Sequence, residues 1–121
     1  MMLAALLSAL LVVAPASGVA ERPMAVPAPG GVTLAATLTV PPGPGPHPAA
    51  VLVSGFGPAS RDGSFGRPGG PYADLARDLA RAGVATLRYD KRGTGGSGGP
   101  ALSWLDARAL TRDASAAVRA L

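Results

Sequence analysis

The stretch "RYDKRGTGGSGGPALSW", residues 88 to 104, contains two overlapping motifs that are known from catalytic and ligand-binding sites. Gly95, Ser97 and Gly99 match G-x-S-x-G, the pattern that carries the nucleophilic serine of many hydrolases. Gly93, Gly95 and Gly98 match G-x-G-x-x-G, which binds the pyrophosphate of a dinucleotide where a strand turns into a helix. The two motifs share Gly95, so they cannot both describe the chemistry of this loop.

Ser97 does not have the surroundings that a catalytic serine needs. A nucleophilic serine of this type lies on a sharp turn directly between a strand and a helix. The sequence "VATLRYD" predicts a strand that ends at Tyr89 or Asp90, six or seven residues before Ser97, and no helical pattern begins directly after it. The sequence therefore disfavours Ser97 as a nucleophile.

The dinucleotide interpretation fits somewhat better, although it has a related weakness. A helix is predicted downstream, but Lys91 and Arg92 precede the first glycine, whereas the motif needs that glycine at the strand end. Gly99 and Pro100 delay the helix further. A nucleotide-binding module that uses the loop from Gly93 to Gly98 therefore stays open as an alternative.

A structural loop is the third interpretation, and it accounts for more of the residues. Asp90 and Arg92 flank the end of the predicted strand, where they could pair with each other or with backbone groups. Gly93 and Gly95 allow positive φ angles, and the Ser97 hydroxyl can bond to nearby backbone. We therefore predict that these five residues have an architectural role.

The remaining chemistry-bearing residues are few. The sole histidine, His47, lies between two prolines and is predicted to be a loop residue. Asp113 falls on a predicted helix, where we expect a solvated charge or a helix-dipole interaction. The chain has no cysteine and no His and carboxylate cluster, so we expect no metal centre and no cofactor. The net charge of +4 comes mostly from arginines dispersed among aspartates, which does not predict a nucleic-acid partner.

The elements that must position these residues can be read from their hydrophobic periodicity. Residues 32 to 40 alternate in polarity and predict a half-buried strand, with a shorter antiparallel strand at 24 to 26. "AAVLVS", residues 49 to 54, is apolar on both faces and predicts a strand that is covered on both sides, like "VATLRYD".

Two amphipathic helices complete the pattern. The first begins near Pro71 and ends near Gly83, with an apolar stripe at Tyr72, Leu75, Ala76, Leu79 and Ala80. The second has its stripe at Leu110, Ala114, Ala117, Val118 and Leu121. The order β-β-β-α-β-α predicts an α/β fold with a mostly parallel sheet, an antiparallel N-terminal edge and an unfinished far side.

The segments "VTLAATLTVPPGPGPHPAAVLVSGFGPASRDG" and "YADLARDLARAGVATLRYDKRGTGGSGG" resemble the N-terminal half of α/β-hydrolase-fold proteins. The similarity is to bacterial exported esterases, dienelactone hydrolases and serine aminopeptidase-like enzymes, and it covers residues 32 to 121. The motif that carries it is D-x-R-G-x-G-x-S, met by Asp90, Arg92, Gly93, Gly95 and Ser97, together with the turn at 54 to 57.

This resemblance implies a function as well as a fold. The turn "SGFG" would be the oxyanion loop, with the Phe56 N–H as donor and with Gly55 and Gly57 allowing close approach of substrate. Arg61 would form an ion pair or, less favoured, contact the rim. The complete enzymes would cleave small-molecule esters or amides through an acyl-enzyme, and their nucleophile, acid and histidine would come after residue 121.

The resemblance therefore implies a chain that is inactive alone and that could work with a separately encoded C-terminal half. A non-catalytic interaction protein is a further alternative. Residues 1 to 20 have the apolar run and small residues of a signal peptide, which predicts export to the periplasm or outside the cell, with residues 21 to 121 as the domain. Membrane contact is expected only through an uncleaved N-terminal segment.

Overall fold

The strands and helices follow one another in the order that the sequence predicts. A computed structural model describes residues 18–55, 57, 59–101 and 106–121. Its elements are β1 (Ala20–Ala28), β2 (Val32–Val40), β3 (Ala49–Leu52), α1 (Pro71–Arg81), β4 (Ala85–Tyr89) and α2 (Ala107–Arg119). The predicted α/β class and the β-β-β-α-β-α order are therefore confirmed.

The four strands form one mixed sheet in the order β1-β2-β4-β3. β2 runs antiparallel to both β1 and β4, and β3 runs parallel to β4. The described strands thus contain one parallel pair and two antiparallel pairs. The described sheet is therefore less parallel than the sequence predicts, because β2 lies between β1 and β4 and runs antiparallel to both. The antiparallel N-terminal edge is present as predicted.

β1 is longer than the three residues that its sequence predicts. All nine of its residues pair with β2, from Ala20 opposite Val40 to Ala28 opposite Val32. Pro23 and Pro27 weaken the local strand signal because they lack an N–H group, but an edge strand tolerates them. Pairing with the long β2 strand therefore outweighs the low propensity of β1.

The two faces of the sheet are covered by different helices. α2 packs on the apolar face, and α1 packs against β4 on the opposite face through small residues, among them Ala73, Ala76 and Ala80. Ala116 and Ala117 of α2 bring that helix close to the sheet. The residues of the main core cluster are Val26, Val32, Leu34, Ala36, Leu87, Tyr89, Ala116 and Ala117.

Arg88 is a buried charge on the α1 side of β4, and each of its three side-chain nitrogens donates a hydrogen bond. Its side chain is 3% exposed, and its Nε donates to Asp62 Oδ1 at 2.8 Å. Nη1 donates to Thr39 Oγ1 at 2.7 Å, and Nη2 donates to Glu21 Oε1 at 3.3 Å. A buried cation is stable only with such partners, so Arg88 ties the loop after β3 to β1 and β2.

α2 presents a different face to the sheet from the one that its apolar stripe predicts. In α2, Asp113 is 1% exposed, whereas Val118 is 60% exposed and Leu121 is also largely exposed. In α1 the predicted face is largely confirmed, since Ala76 and Ala80 are buried and only Leu75 of the stripe is exposed. The prediction of a solvated Asp113 is wrong, because its carboxylate has a cationic partner in a loop far away in sequence.

β3 is less covered than the sequence predicts. Ala49 is exposed, as is Val53 just after the strand, and the other three β3 residues are half-buried. In the described sheet β3 is an edge strand that pairs with β4 alone, which accounts for this exposure. None of the helices in the described ranges is long and apolar enough to cross a membrane.

Candidate functional site

Two connecting segments meet at one edge of the sheet because β3 and β4 run parallel. The β3 turn, residues 53 to 57, follows the carboxyl end of β3, and the glycine loop, residues 90 to 99, follows the carboxyl end of β4. Open α/β sheets bind ligands in the crevice outside the carboxyl ends of their strands. The carboxyl ends of β3 and β4 are therefore where we look for a candidate functional site.

The glycine loop folds back onto β2, and Ser97 makes the central contact. Asp90 N–H donates to Ala35 C=O at 2.9 Å, as in a normal antiparallel ladder. The return bond runs through the serine, since Ala35 N–H donates to Ser97 Oγ at 2.9 Å and that hydroxyl donates to Asp90 C=O at 2.5 Å. The Ser97 hydroxyl is thus inserted into the β2 and β4 ladder.

Ser97 therefore lies in a place that suits structure better than catalysis. It is 9% exposed, its only proton is donated to a backbone carbonyl, and it does not lie on a turn that leads directly from a strand into a helix. His47 precedes β3, so it lies at the opposite end of that strand from the β3 turn. The described fold does not bring the sole histidine to Ser97.

Asp90 is held by groups from two segments. Its Oδ1 accepts from Arg61 N–H at 2.8 Å, and its Oδ2 accepts from Arg61 Nη2 at 2.8 Å and from Gly96 N–H at 2.9 Å. Burial raises the pKa of this carboxyl, but the bonds from Arg61 and Gly96 outweigh that effect and hold the pKa below its ordinary value. The ion pair that the sequence favours for Arg61 forms with Asp90.

Gly95 is required where it stands in this arrangement. Its φ is +51°, and a Cβ added there would meet the Asp90 carboxylate. A larger residue would displace the carboxylate from its donors and strain the backbone. Gly95 therefore serves the Asp90 contact.

Arg92 pairs with Asp113 of α2 and not with Asp90, the partner that the sequence suggests. Its Nε and Nη2 donate to the two carboxylate oxygens of Asp113 at 2.8 and 2.6 Å, and Nη2 also donates to Pro29 C=O at 3.1 Å. The bond to Asp113 raises the pKa of Arg92. The Arg92 and Asp113 pair fixes α2 against the glycine loop.

Burial, with a smaller contribution from the Asp113 charge, raises the pKa of Tyr89 to about 12.

The backbone donors of the glycine loop are largely used within the protein. The N–H groups of Gly93, Thr94, Ser97 and Gly98 donate to backbone carbonyls, and that of Gly96 donates to Asp90. A phosphate cradle needs such donors directed at its ligand, next to a helix N-terminus. α2 begins at Ala107, eight residues after Gly99. The geometry gives the nucleotide-binding alternative no support.

The β3 turn is held by a residue that the sequence analysis did not single out. Lys91 Nζ donates to Gly55 C=O at 2.5 Å and to Gly57 C=O at 2.6 Å. Burial lowers the pKa of Lys91. Phe56, the predicted oxyanion donor, lies outside the described residues, as does Pro58. The two glycines that were predicted to flank the donor are thus both contacted by one ammonium group.

Two signals could have identified the missed residues. Lys91 is the only lysine among 11 basic residues, and it stands directly after a buried strand. Arg88 is the one charged residue in the otherwise uncharged segment "VATLRY".

Ser54 Oγ is buried and has no hydrogen-bond partner among the described residues. Within the described parts of the chain, no three potential metal ligands come together.

Comparisons with known proteins agree with this fold. The family model described as serine aminopeptidase, S33, matches residues 64–121. Esterase EstD of Thermotoga maritima is 46% identical over 55 residues, which are 46% of this chain and 13% of the esterase.

Two solved structures are similar over most of the chain. The hypothetical protein PA2218 of Pseudomonas aeruginosa has a TM-score of 0.65 and 29% identity, and the match covers 88% of this chain and 31% of that one. The α/β hydrolase GrgF of a Penicillium species has a TM-score of 0.61 and 24% identity, with coverage of 83% and 31%.

These matches define the fold of the protein and the class that it resembles. The chain has the elements of the N-terminal part of an α/β-hydrolase fold, and it is similar to proteins of the α/β-hydrolase superfamily. It spans 13% of the esterase that it matches and about a third of the two solved structures. Its similarity within the superfamily is to enzymes described as serine aminopeptidases and esterases.

Proposed function

We propose that these 121 residues form the part of a serine hydrolase that binds the acyl oxygen of its substrate. The substrate class is a carboxylic ester or a peptide-like acyl bond, cleaved through an acyl-enzyme. The observation that carries the proposal is the position of the β3 turn, which follows the carboxyl end of a strand in a parallel pair and is bound by Lys91. The similarity to an esterase supports the same substrate class.

The chemistry assigned to the β3 turn is stabilisation of negative charge. When a nucleophile attacks an ester carbonyl, the carbonyl oxygen becomes an oxyanion, and a backbone N–H that already points at it lowers the barrier. One such donor contributes about 3 kcal/mol. The Phe56 N–H is the proposed donor, and Gly55 and Gly57 on either side would let substrate approach the backbone.

The proposal assigns the nucleophile and the base to polypeptide other than these residues. Acyl transfer of this kind needs a serine within hydrogen-bond reach of a histidine that a carboxylate orients. Ser97 donates its proton to Asp90 C=O, and Asp113 is paired with Arg92. We therefore expect the 121 residues alone to be inactive, and the missing groups to come from a continuation of the chain or from a separate C-terminal half.

An active-site fluorophosphonate probe tests this assignment directly. The purified chain should remain unlabelled, and a Ser97→Ala variant should give the same blank result. Labelling that depends on Ser97 would show that this serine is the nucleophile and would refute the proposal. Sequencing of the transcript is the positive test, since a frame that continues past Leu121 into a strand, G-x-S-x-G and a late histidine would supply the missing groups.

Export is part of the same proposal, and it concerns residues that the structure does not describe. Residues 1 to 17 hold the apolar run, and the described chain enters β1 at Ala20. Cleavage after Ala16 would leave β1 whole, whereas cleavage after Ala20 would remove its first residue. N-terminal sequencing of protein from cell fractions would find a processed form outside the cytoplasm, and an intact Met1 in the cytoplasmic fraction would contradict export.

A further inference from the structure

The two edges of the described sheet differ in composition. β1 forms one edge, and it contains two charged residues and two prolines, at positions 21, 22, 23 and 27. β3 forms the other edge, and the segment "AAVLV", residues 49 to 53, contains neither charge nor proline. Charges and prolines on an edge strand are common means of preventing it from pairing with another chain. β1 is therefore protected against such pairing, whereas residues 49 to 53 form an open edge.

The main-chain groups on the open edge follow from the pairing of β3 with β4. Ala85 N–H donates to Pro48 C=O at 2.8 Å, and the two strands run parallel. In a parallel ladder every second residue of a strand directs both its N–H and its C=O at the same neighbour. The even-numbered residues of β3 therefore face β4. The residues whose main-chain groups point to the open edge are Ala49, Val51 and Val53.

These outward-facing groups are spaced so that the open edge can pair with a copy of itself. In an antiparallel pair, residues of a hydrogen-bonded position exchange both of their N–H···O=C bonds. When Val51 lies opposite Val51 of a second copy, Ala49 lies opposite Val53 of that copy. Every outward-facing residue of the open edge then occupies a hydrogen-bonded position, and the pattern is the same for both copies.

The side chains of the open edge also match in this register. Val53 lies opposite Ala49 on one face of the sheet. Leu52 lies opposite Ala50 on the other face, so a larger side chain meets a smaller one in each pair. Because the segment has no charge, no like charges meet. Val53 is 46% exposed and Ala49 is also exposed, so a second copy can reach both of them.

We propose that the open edge of β3 binds the open edge of a second copy of this chain, antiparallel and centred on Val51. The twofold axis is normal to the sheet, so the two sheets become one and the assembly closes at two copies. A strand edge is small beside the roughly 800 Å² per partner of a standard interface, so the dimer should depend on concentration. None of residues 49 to 53 contributes a group to the proposed function, so the two can be tested separately.

A different polypeptide, such as the C-terminal half that the proposed function invokes, is the alternative occupant of the open edge. A strand from another polypeptide requires no relation between position 49 and position 53 of this chain. A second copy requires that the two positions lie opposite each other and match in size and charge, as Ala49 and Val53 do. This internal match favours the second copy.

Analytical ultracentrifugation of the 121-residue chain over about a hundredfold range of concentration measures the association. We expect a monomer that converts to a dimer as the concentration rises. Amide hydrogen exchange followed by NMR then locates the interface. The amides that face β4 should exchange slowly at every concentration. The amides that should slow by at least about tenfold only where the dimer forms are those of Ala49, Val51 and Val53.

Charges at positions 49 and 53 test the register. In a chain with both Ala49→Lys and Val53→Lys, lysines lie opposite each other twice, so this variant should dimerise at least about tenfold more weakly. A chain with both Ala49→Glu and Val53→Glu should be weakened in the same way. An equimolar mixture of the two variants should form a heterodimer, because each lysine then lies opposite a glutamate. Both positions are exposed, so the urea midpoints of the monomers should stay close to that of the wild type.

Phe65→Lys is the matched control, because Phe65 is an apolar side chain that is 70% exposed in the loop before α1. This variant should dimerise like the wild type, and a loss of association would place the interface elsewhere. A chain that stays monomeric over the whole range would overturn the proposal and leave the open edge to a different polypeptide. Assembly beyond the dimer would also overturn it, as would fast exchange of the open-edge amides in the dimer or the absence of a heterodimer in the mixture.

Discussion

Replacing Ser97 with alanine distinguishes a structural role of this hydroxyl from a catalytic one. The hydroxyl connects Ala35 N–H to Asp90 C=O, and both residues lie at the end of the β2 and β4 ladder. Ser97→Ala leaves the part-buried Ala35 N–H and the buried Asp90 C=O without this partner. Each unmet buried backbone group costs about 1–3 kcal/mol, and partial closure of the gap offsets some of the loss.

We therefore expect Ser97→Ala to lower the free energy of unfolding by about 2–4 kcal/mol, a large part of the 5–15 kcal/mol of a small domain. Urea unfolding followed by circular dichroism measures this difference. Ser115→Ala is the matched control, because Ser115 is exposed on α2 and its hydroxyl bonds to Thr111 C=O within the helix. It should change stability by less than about 0.5 kcal/mol. A Ser97→Ala value as small as that of the control would refute the ladder role.

Two further predictions follow from other contacts. The pKa of Asp90 lies below its ordinary value of 3.8, so Asp90 contributes stability that is present above that pH and is lost as the pH falls through its folded-state pKa. The urea midpoint of Asp90→Asn should therefore fall less steeply in acid than that of the wild type, whereas an equally steep fall would exclude Asp90 as a source of the acid sensitivity. Ala117→Arg should lower the free energy of unfolding by more than about 4 kcal/mol because Ala117 is fully buried, whereas Val118→Arg should lower it by less than about 0.5 kcal/mol. Similar urea midpoints for the two variants would show that the buried face of α2 is assigned wrongly.

The sequence is informative where local pattern and burial agree. β4 has every residue buried, as the apolar run "VATL" predicts, and α1 begins at Pro71 as its first-turn proline indicates. Strand pairing is less accessible to such reasoning. The nine-residue length of β1 depends on the long β2 strand beside it, and local propensity contains no such information.

The orientation of α2 could not be predicted because it depends on a contact across 21 positions. The apolar stripe predicts that Val118 faces the sheet and that Asp113 faces solvent. That prediction fails only if a buried cation is available to pair with Asp113, and the sequence of α2 does not show such a cation. Arg92 supplies the cation, and its bidentate contact outweighs the exposure of Val118. Small alanines on the same face then pack against the sheet at no steric cost.

In the glycine loop, too, the motif can be recognised in the sequence but the side-chain contacts cannot. The spacing of D-x-R-G-x-G-x-S indicates the superfamily, but it does not reveal that Asp90 pairs with Arg61, 29 positions earlier. The partner of an acidic residue in a loop is set by the arrangement of other loops at the strand ends. For the same reason the contacts of Lys91 with the β3 turn become apparent only when β3 and β4 are placed side by side.

The charged side chains at this edge of the sheet leave little free chemistry among the described residues. Asp90 is bonded to Arg61 and Gly96, and Asp113 is bonded to Arg92, so neither carboxylate is available to orient a base. The Ser97 hydroxyl closes a backbone ladder. Side chains that are already paired hold geometry well but act poorly as acids, bases or nucleophiles, because reaction would break the bonds that fold the loop. We therefore expect this end of the sheet to offer a substrate a backbone amide, which the proposed function assigns to the β3 turn.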